Sequence, residues 1–234
     1  MWLHNLVTVV IPCKNEGALI KKTLRLLGNQ MYAHGMKVIV ADSSDDEITR
    51  MMIDSEKNGP LDITVVQGGL PAVARNNGAS HVRTPYVLFL DADIFLEDQH
   101  TLYTIVANVA YHDLELATCR ISTHDAYRAA FWAFDLVRGL IIKKTPFAVG
   151  GFMLFNTRAF NRVGKFNQKA LVAEDYHISK KIDPKLFKIF DRKVFTTSRR
   201  FKKKGLLYFA KMLLLFWFNR DNEEFYTRDF KYFE

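Results

Sequence analysis

Cysteine is scarce in this chain: Cys13 and Cys119 are the two among 234 residues. They form neither a zinc-ligand spacing nor a disulfide framework, and such usage suits a reducing, cytosolic setting. Apolar runs long enough to cross a bilayer are missing as well. Gly205–Phe218 is apolar nearly all round, with only Lys211 interrupting. As a helix its fourteen residues rise roughly 21 Å, short of the ~30 Å hydrocarbon core. Val7–Ile11 is too short for the apolar region of a signal peptide and has no basic flank before it, so it reads as a first strand. Internal repeats, low-complexity tracts and linker-like stretches are absent, which favours one core, or one core with an appendage.

Charge of one sign is lacking over most of the chain. Residues 1–179 carry 18 Lys and Arg against 18 Asp and Glu; residues 180–234 carry 15 against 7, so the last quarter holds the whole net charge of +8. A basic tail on a neutral body implies an anionic partner: phosphate, acidic lipid or nucleic acid.

What is present is an alternation of strand and helix signals. Strands are expected at Val7–Ile11, Lys37–Ala41, Ile63–Val66 and Tyr86–Leu90, with helices at Ala18–Leu27, from the Asp42–Asp46 turn to about Lys57, and from Pro71 to about Ser80. This rhythm predicts an α/β fold with a mostly parallel sheet and right-handed crossovers. Beyond Asp93 a helix near Asp98–Val109, a strand at Glu115–Ile121, a long apolar helix over Ala126–Ile142 and a strand at Phe152–Asn156 are expected. A short helix follows, and then one over Ala173–Ile182 that opens on Glu174-Asp175. Arg199, Arg200 and Lys202–Lys204 precede the Gly205–Phe218 helix and Arg220 follows it. Basic flanks around an aromatic-rich apolar helix suit a membrane interface; packing on the chain's own core or on a second copy is the other reading.

The chemistry centres on Tyr86–Ile94. Five apolar residues, as in a strand buried on both faces, run into Asp91-Ala-Asp93. In an extended segment residues two apart point the same way, so both carboxylates can face one site at the strand's carboxyl end. Hard oxygens so placed suit Mg²⁺ or Mn²⁺, although an Asp-rich loop that merely ends a strand looks the same.

Four features taken in order resemble glycosyltransferase family 2, enzymes of the GT-A fold that use nucleotide sugars. They are Val9-Val-Ile-Pro-Cys-Lys-Asn-Glu16; Val40-Ala-Asp-Ser-Ser-Asp-Asp46; Arg75-Asn-Asn-Gly-Ala79 leading through the fourth strand to Asp91-Ala-Asp93; and Gly150-Gly-Phe152, Gly164-Lys-Phe166 and Glu174-Asp175. The resemblance covers roughly residues 6–182. It implies a GT-A catalytic domain over 1–198, with a nucleotide-sugar half about 1–95 and an acceptor half about 96–198, followed by the basic, apolar segment 199–234.

The resemblance also implies roles. Pro12, Glu16 and Asp42 become donor-base and ribose candidates, Arg75 and Asp91 donor-side ligands, and Asp93, with Asp91, the holder of Mn²⁺ or Mg²⁺. Asp175 is the general-base candidate with Glu174 in support, although two acids in a first helical turn would also complement the helix dipole. Gly150, Gly151, Arg199 and Arg200 are acceptor or phosphate candidates, and His177 a further metal ligand. Asp42 and Asp46 also fit plain turn and cap chemistry. Ala41 and Ser43 stand where the family often has Asp and Gly, which leaves base selectivity open.

The expected activity is therefore inverting, metal-dependent sugar transfer from a UDP- or GDP-sugar to a lipid-linked or small-molecule acceptor. The protein would sit in the cytoplasm, peripheral on an anionic membrane, without a nucleic-acid partner and with a homodimer open. A nucleotidyltransferase would want glycines in Cys13-Lys-Asn-Glu16, which has none; a sugar-nucleotide-binding protein with a dead site is the non-enzyme alternative.

Overall fold

In the computed structural model, which describes residues 2–141, 145–220 and 222–228, seven strands form one sheet in the order β3-β2-β1-β4-β6-β5-β7. The strands are β1 Val7–Cys13, β2 Lys37–Asp42, β3 Asp62–Gln67, β4 Tyr86–Leu90, β5 Leu116–Ser122, β6 Phe152–Asn156 and β7 Phe187–Phe195. The helices are α1 Gly17–Gly28, α2 Glu47–Asp54, α3 Pro71–Ala79, α4 Thr101–Tyr111, α5 Arg128–Ile141, α6 Thr157–Arg162, α7 Glu174–Ser179, α8 Arg199–Lys204 and α9 Leu206–Phe218. The expected end of the long helix at Ile142 lies outside the described residues.

The first four strands are parallel, as their β-α-β rhythm predicts. β4 is the pivot: all five of its residues are buried, and it pairs in parallel with β1 but antiparallel with β6. That reversal matters for the site. Leu90 pairs with Phe152, so the start of β6 lies beside the end of β4, and Gly150-Gly151 arrive next to Asp91. The Asp91 N–H donates to the Gly151 carbonyl at 3.2 Å.

β7 has no counterpart among the expected strands. Its sequence, Phe-Lys-Ile-Phe-Asp-Arg-Lys-Val-Phe, carries four charges on nine residues, as an edge strand protected from further pairing does. It pairs in parallel with β5 through a bulge at Cys119/Arg120.

Two apolar layers sandwich the sheet. In one, Ile20, Leu24 and Leu27 of α1 pack against β1 and β2. In the other, Phe89, Phe155, Phe160 and Phe166 make an aromatic cluster whose Phe89–Phe166 ring centroids lie 4.9 Å apart. α3 lies directly on β1, and Gly78 permits it. A Cβ at position 78 would sit 2.4 Å from Val10 Cγ1, in a strand side chain with nowhere to retreat. Gly78→Ala should therefore destabilise the protein by roughly 1–3 kcal/mol despite alanine's better helix propensity. Urea unfolding monitored by circular dichroism would measure this, and an unchanged midpoint would refute the close packing.

Candidate functional site

The carboxyl ends of β1, β2 and β4 open on one side of the sheet, and the acidic groups singled out above lie there or on α7 beside them. Each is positioned by a specific tie. Thr23 of α1 donates from Oγ1 to the Ala92 carbonyl at 2.7 Å, a buried bond that pins the loop between Asp91 and Asp93. Gln30 grips the next stretch, its Nε2 donating to Leu96 O at 2.9 Å and Asp98 O at 3.1 Å while its Oε1 accepts from Leu102 N. Asn76 of α3 does the same for Phe166, donating to its carbonyl at 2.8 Å and accepting from its N–H at 3.1 Å. That bond pair sets the Phe166 ring beneath the Arg75 guanidinium, 5.6 Å from it.

Arg75 is the centre of the arrangement. It is almost fully buried and its fork spans two elements, with Nη2 to Asp91 Oδ1 at 2.7 Å and Nη1 to Glu174 Oε1 at 2.5 Å. Although burial alone favours loss of its charge, the nearby Asp91, Glu174 and Asp175 raise its pKa further, so it stays a cation. The pair resembling the family's acidic motif is thus joined to the strand-four aspartate through one guanidinium.

Asp175 occupies a narrow place beside it. One carboxylate oxygen accepts from the Gly150 N–H at 2.8 Å and the other from the Tyr176 N–H at 2.7 Å. A Cβ on residue 150 would lie 3.2 Å from Arg75 Nη2 and 3.3 Å from Asp175 Oδ2, so glycine lets backbone, guanidinium and carboxylate meet. Ser179 reinforces the junction, accepting from Ala148 N at 3.1 Å and donating to the Asp175 carbonyl at 2.6 Å. Burial, then the charge of Glu174, pushes the Asp175 carboxyl up to about 7; the two N–H groups and Arg75 offset only part of that. A carboxylate with that affinity can take a proton from a hydroxyl near neutrality.

On the donor side, Asp42 at the end of β2 accepts from Ser44 N at 3.0 Å and Ser44 Oγ at 2.6 Å, and Arg50 Nε lies 3.8 Å from its other oxygen. Asp46 caps α2, accepting from Thr49 N at 2.6 Å. Glu16 follows β1, and its Oε2 is a buried oxygen with no hydrogen-bond partner among the described residues. Pro12 sits within β1 opposite Ala41. Cys13, buried next to Asp42 and Glu16, has its thiol pushed up to about 12, burial being the main cause, so it is no nucleophile.

Asp93 is raised above the ordinary carboxylate range by burial and then by Asp91; Arg200 and Arg199 pull it down and Glu16 adds to the rise. Two hard carboxylates at a strand end, one of them starved of solvent, are a donor set that fits a divalent cation. Among the described residues no three or more His, Cys, Asp or Glu side chains converge as ligands. His177 does not complete such a set: it is buried on α7 with its ring edge-on to Tyr226, centroids 4.2 Å apart. Arg199 reaches Glu16 Oε1 at 2.5 Å and Asp93 Oδ2 at 3.4 Å. Sequence reasoning anticipated Arg199 as a phosphate group's partner but gave no sign of these two ion pairs.

With this geometry in place, comparison with known proteins is decisive. The family model "Glycosyl transferase family 2" matches residues 8–164. The chain belongs to glycosyltransferase family 2. Curated relatives of this family 2 chain include an uncharacterized glycosyltransferase of Haemophilus influenzae, 29% identical over 124 residues, covering 47% of this chain and 49% of that one. A poly-beta-1,6-N-acetyl-D-glucosamine synthase of Staphylococcus epidermidis is 28% identical over 102 residues (42% and 24%). A validoxylamine A glucosyltransferase of Streptomyces hygroscopicus is 32% identical over 107 residues (44% and 25%). The chain spans about half or less of the length of these relatives.

Among solved structures, a mannosyltransferase of Pyrobaculum calidifontis in complex with GDP-Man and Mn²⁺ superposes with a TM-score of 0.68 at 24% identity, covering 88% of this chain and 64% of that one. Residues 1–349 of S. aureus TarS with UDP-GlcNAc give 0.66 at 19% identity (82% and 58%). The chain shares their GT-A fold.

Two outcomes follow from the site's electrostatics. Arg75→Met would leave Asp91 and Glu174 facing each other without their shared cation, and should cost roughly 3–5 kcal/mol in denaturant unfolding; a cost below about 1 kcal/mol, the size of an exposed pair, would show that the fork is incidental. The folded protein holds a proton on Asp175 at pH values where the unfolded chain, with a value of 3.8, has released it. Stability should therefore fall as pH rises from about 4 to about 7. Thermal melts of Asp175→Asn should lose less across that window than wild type.

Proposed function

We propose that this family 2 enzyme is an inverting glycosyltransferase that moves a sugar from a UDP- or GDP-sugar to an acceptor hydroxyl or phosphate, with Asp175 as general base. The observation that carries this reading is the Asp175 carboxylate. It is raised to about 7, fixed by the Gly150 N–H, and linked through Glu174 and Arg75 to the strand-four acidic pair.

In the proposed reaction, Asp175 takes the proton of the acceptor hydroxyl as its oxygen attacks the anomeric carbon. The bond from that carbon to the nucleoside diphosphate breaks, and the diphosphate leaves with the electron pair. Attack from the opposite face converts an α-linked donor into a β-linked product. Glu16, with its unpartnered Oε2, is suited to accept from a ribose hydroxyl, and Asp42 and Pro12 border the same strand ends for the base. Asp93 and Asp91 would hold Mn²⁺ or Mg²⁺, which when bound neutralises charge growing on the diphosphate. Arg199 and Arg200, which both act on Asp93, are our candidates for a phosphate or the acceptor, with Gly150-Gly151 bordering the same place beside Asp91 and Asp175. The P. calidifontis and TarS complexes hold GDP-Man with Mn²⁺ and UDP-GlcNAc respectively, which supports a nucleotide-sugar donor.

We place the acceptor at a membrane, with the enzyme peripheral on its cytosolic face. Among the described residues no helix is long and apolar enough to cross a membrane. One face of α9 packs on its own chain, where Leu215 and Phe216 meet Val172, Phe225 and Tyr226. The other exposes Leu207, Leu214 and Phe218, and α5 exposes Trp132, Leu136 and Val137. Phe201 of α8 joins the two helices, its ring 5.1 Å from Phe131 and 4.3 Å from Phe209. Lysines 202–204 lie on the connecting α8. Apolar area beside basic groups binds anionic bilayers by both routes at once.

Incubation with UDP- and GDP-sugars, Mn²⁺ and membrane lipid extract should release the free nucleotide. Asp175→Asn should lose about 10²–10⁴-fold in turnover while still binding donor; near-normal turnover would reject the base. Because the base must be ionised, wild-type kcat/KM should fall about tenfold per pH unit below about 6, reflecting the carboxyl raised to about 7. For the membrane reading, flotation with phosphatidylglycerol vesicles should be lost in Leu207→Glu/Leu214→Glu. Retention on the vesicles, or a dimer covering this face in sedimentation, would count against it.

A further inference from the structure

Arg199 is the feature that donor and metal binding do not by themselves explain. Its guanidinium sits on Glu16 and on Asp93, the second of which the reading above gives to the metal. It does not wander there on a loose tail. It opens α8, and α8 with its N-cap residue Ser198 is tied at three points to the loop between β5 and α5. Ser198 Oγ donates to Asp125 Oδ2 in a short hydrogen bond, Lys202 Nζ pairs with the same oxygen at 3.2 Å, and Phe201 stacks on Tyr127 at 5.7 Å. Asp125 is itself held by the Tyr127 N–H at 3.1 Å. After α8 comes Gly205 at φ +78°, a conformation that favours glycine and turns the chain from α8 into α9.

We propose that Arg199 is a built-in counter-ion that holds the cation's place on Asp93 in the donor-free enzyme and makes metal entry conditional on the donor's diphosphate. The charges facing Asp93 are Asp91, Glu16, Arg199 and Arg200. With Arg199 in place the acidic cluster is already partly neutralised. A divalent ion arriving alone must displace a guanidinium from two carboxylates and gains only what that exchange leaves. A metal arriving with a diphosphate brings a new partner for Arg199: its Nη2, which serves both carboxylates, is exchanged onto phosphate oxygens, which a guanidinium can bind with two prongs. Metal and donor then favour each other through one residue, and by linkage the effect is mutual.

This inference rests on the assignment of the metal to Asp93 and can fail separately from it. The test is a titration of Mn²⁺ alone into the full chain, reading the free ion by electron paramagnetic resonance. Arg199→Gln should bind Mn²⁺ at least tenfold more tightly than wild type, Arg199→Lys should stay within about threefold of wild type because it keeps the charge, and Asp125→Asn, which loosens the strap, should fall between wild type and Arg199→Gln. UDP should tighten Mn²⁺ binding in wild type and do so less in Arg199→Gln. An Arg199→Gln affinity equal to or weaker than wild type, including no binding by either, overturns the proposal. If wild type binds Mn²⁺ and Asp93→Asn binds it equally well, the metal assignment itself is wrong.

Discussion

The fork of Arg75 is the interaction on which the arrangement of the site depends. Asp91 follows a central strand and Glu174 opens a helix more than eighty residues later; left alone, two carboxylates drawn to one place would repel each other. A guanidinium between them turns repulsion into a strut. Its planar, two-pronged shape matters, because each prong meets one acid, at 2.7 Å and 2.5 Å, which an ammonium on a flexible stem would not reproduce. The strut must itself be held: Gly78 lets α3 lie on β1, and Asn76 places the Phe166 ring under the guanidinium. Most of the short motifs from residue 75 to 175 are parts of this one support.

The same charge accounting separates the acids. Glu174 spends its charge on Arg75. Asp175, next in the chain, is left with two backbone N–H groups and a raised pKa. The two neighbours thus sit in different surroundings: Glu174 is tied to a guanidinium, while Asp175 is held by backbone N–H groups in a buried place that raises its proton affinity. The first-turn acids of α7 therefore do more than complement a helix dipole.

Much of this was legible in the sequence, for identifiable reasons. The strands from β1 to β4 announce themselves because parallel strands buried on both faces read as continuous apolar runs. The acidic motifs follow because their spacing and order carry the family resemblance. β7 escaped notice because an edge strand with Lys188, Asp191, Arg192 and Lys193 looks like a solvated segment. Arg75 could be placed near the site but not between Asp91 and Glu174, since nothing local encodes a partner 99 positions away. The antiparallel entry of β6, which brings Gly150 to Asp175, is likewise a matter of topology rather than local pattern. The sequence of α9 fits a membrane interface, the chain's own core or a second copy of the chain; the structure shows one face packed on its own chain and another exposed.

The basic tail gains a second meaning from the structure. Read as composition, its excess of cations points outward, to an anionic partner. Yet Arg199 points inward, to Glu16 and Asp93, while Lys202 is drawn to Asp125. The neutral body is neutral only on average: its acids are concentrated at the strand ends, and the first turn of α8 supplies the missing countercharge. An anion presented to this end of the molecule, whether diphosphate or headgroup, competes with those carboxylates for the same cations. Under the proposal for Arg199, the charge at the start of α8 would therefore answer both to the carboxylates at the site and to a negatively charged substrate that approaches it.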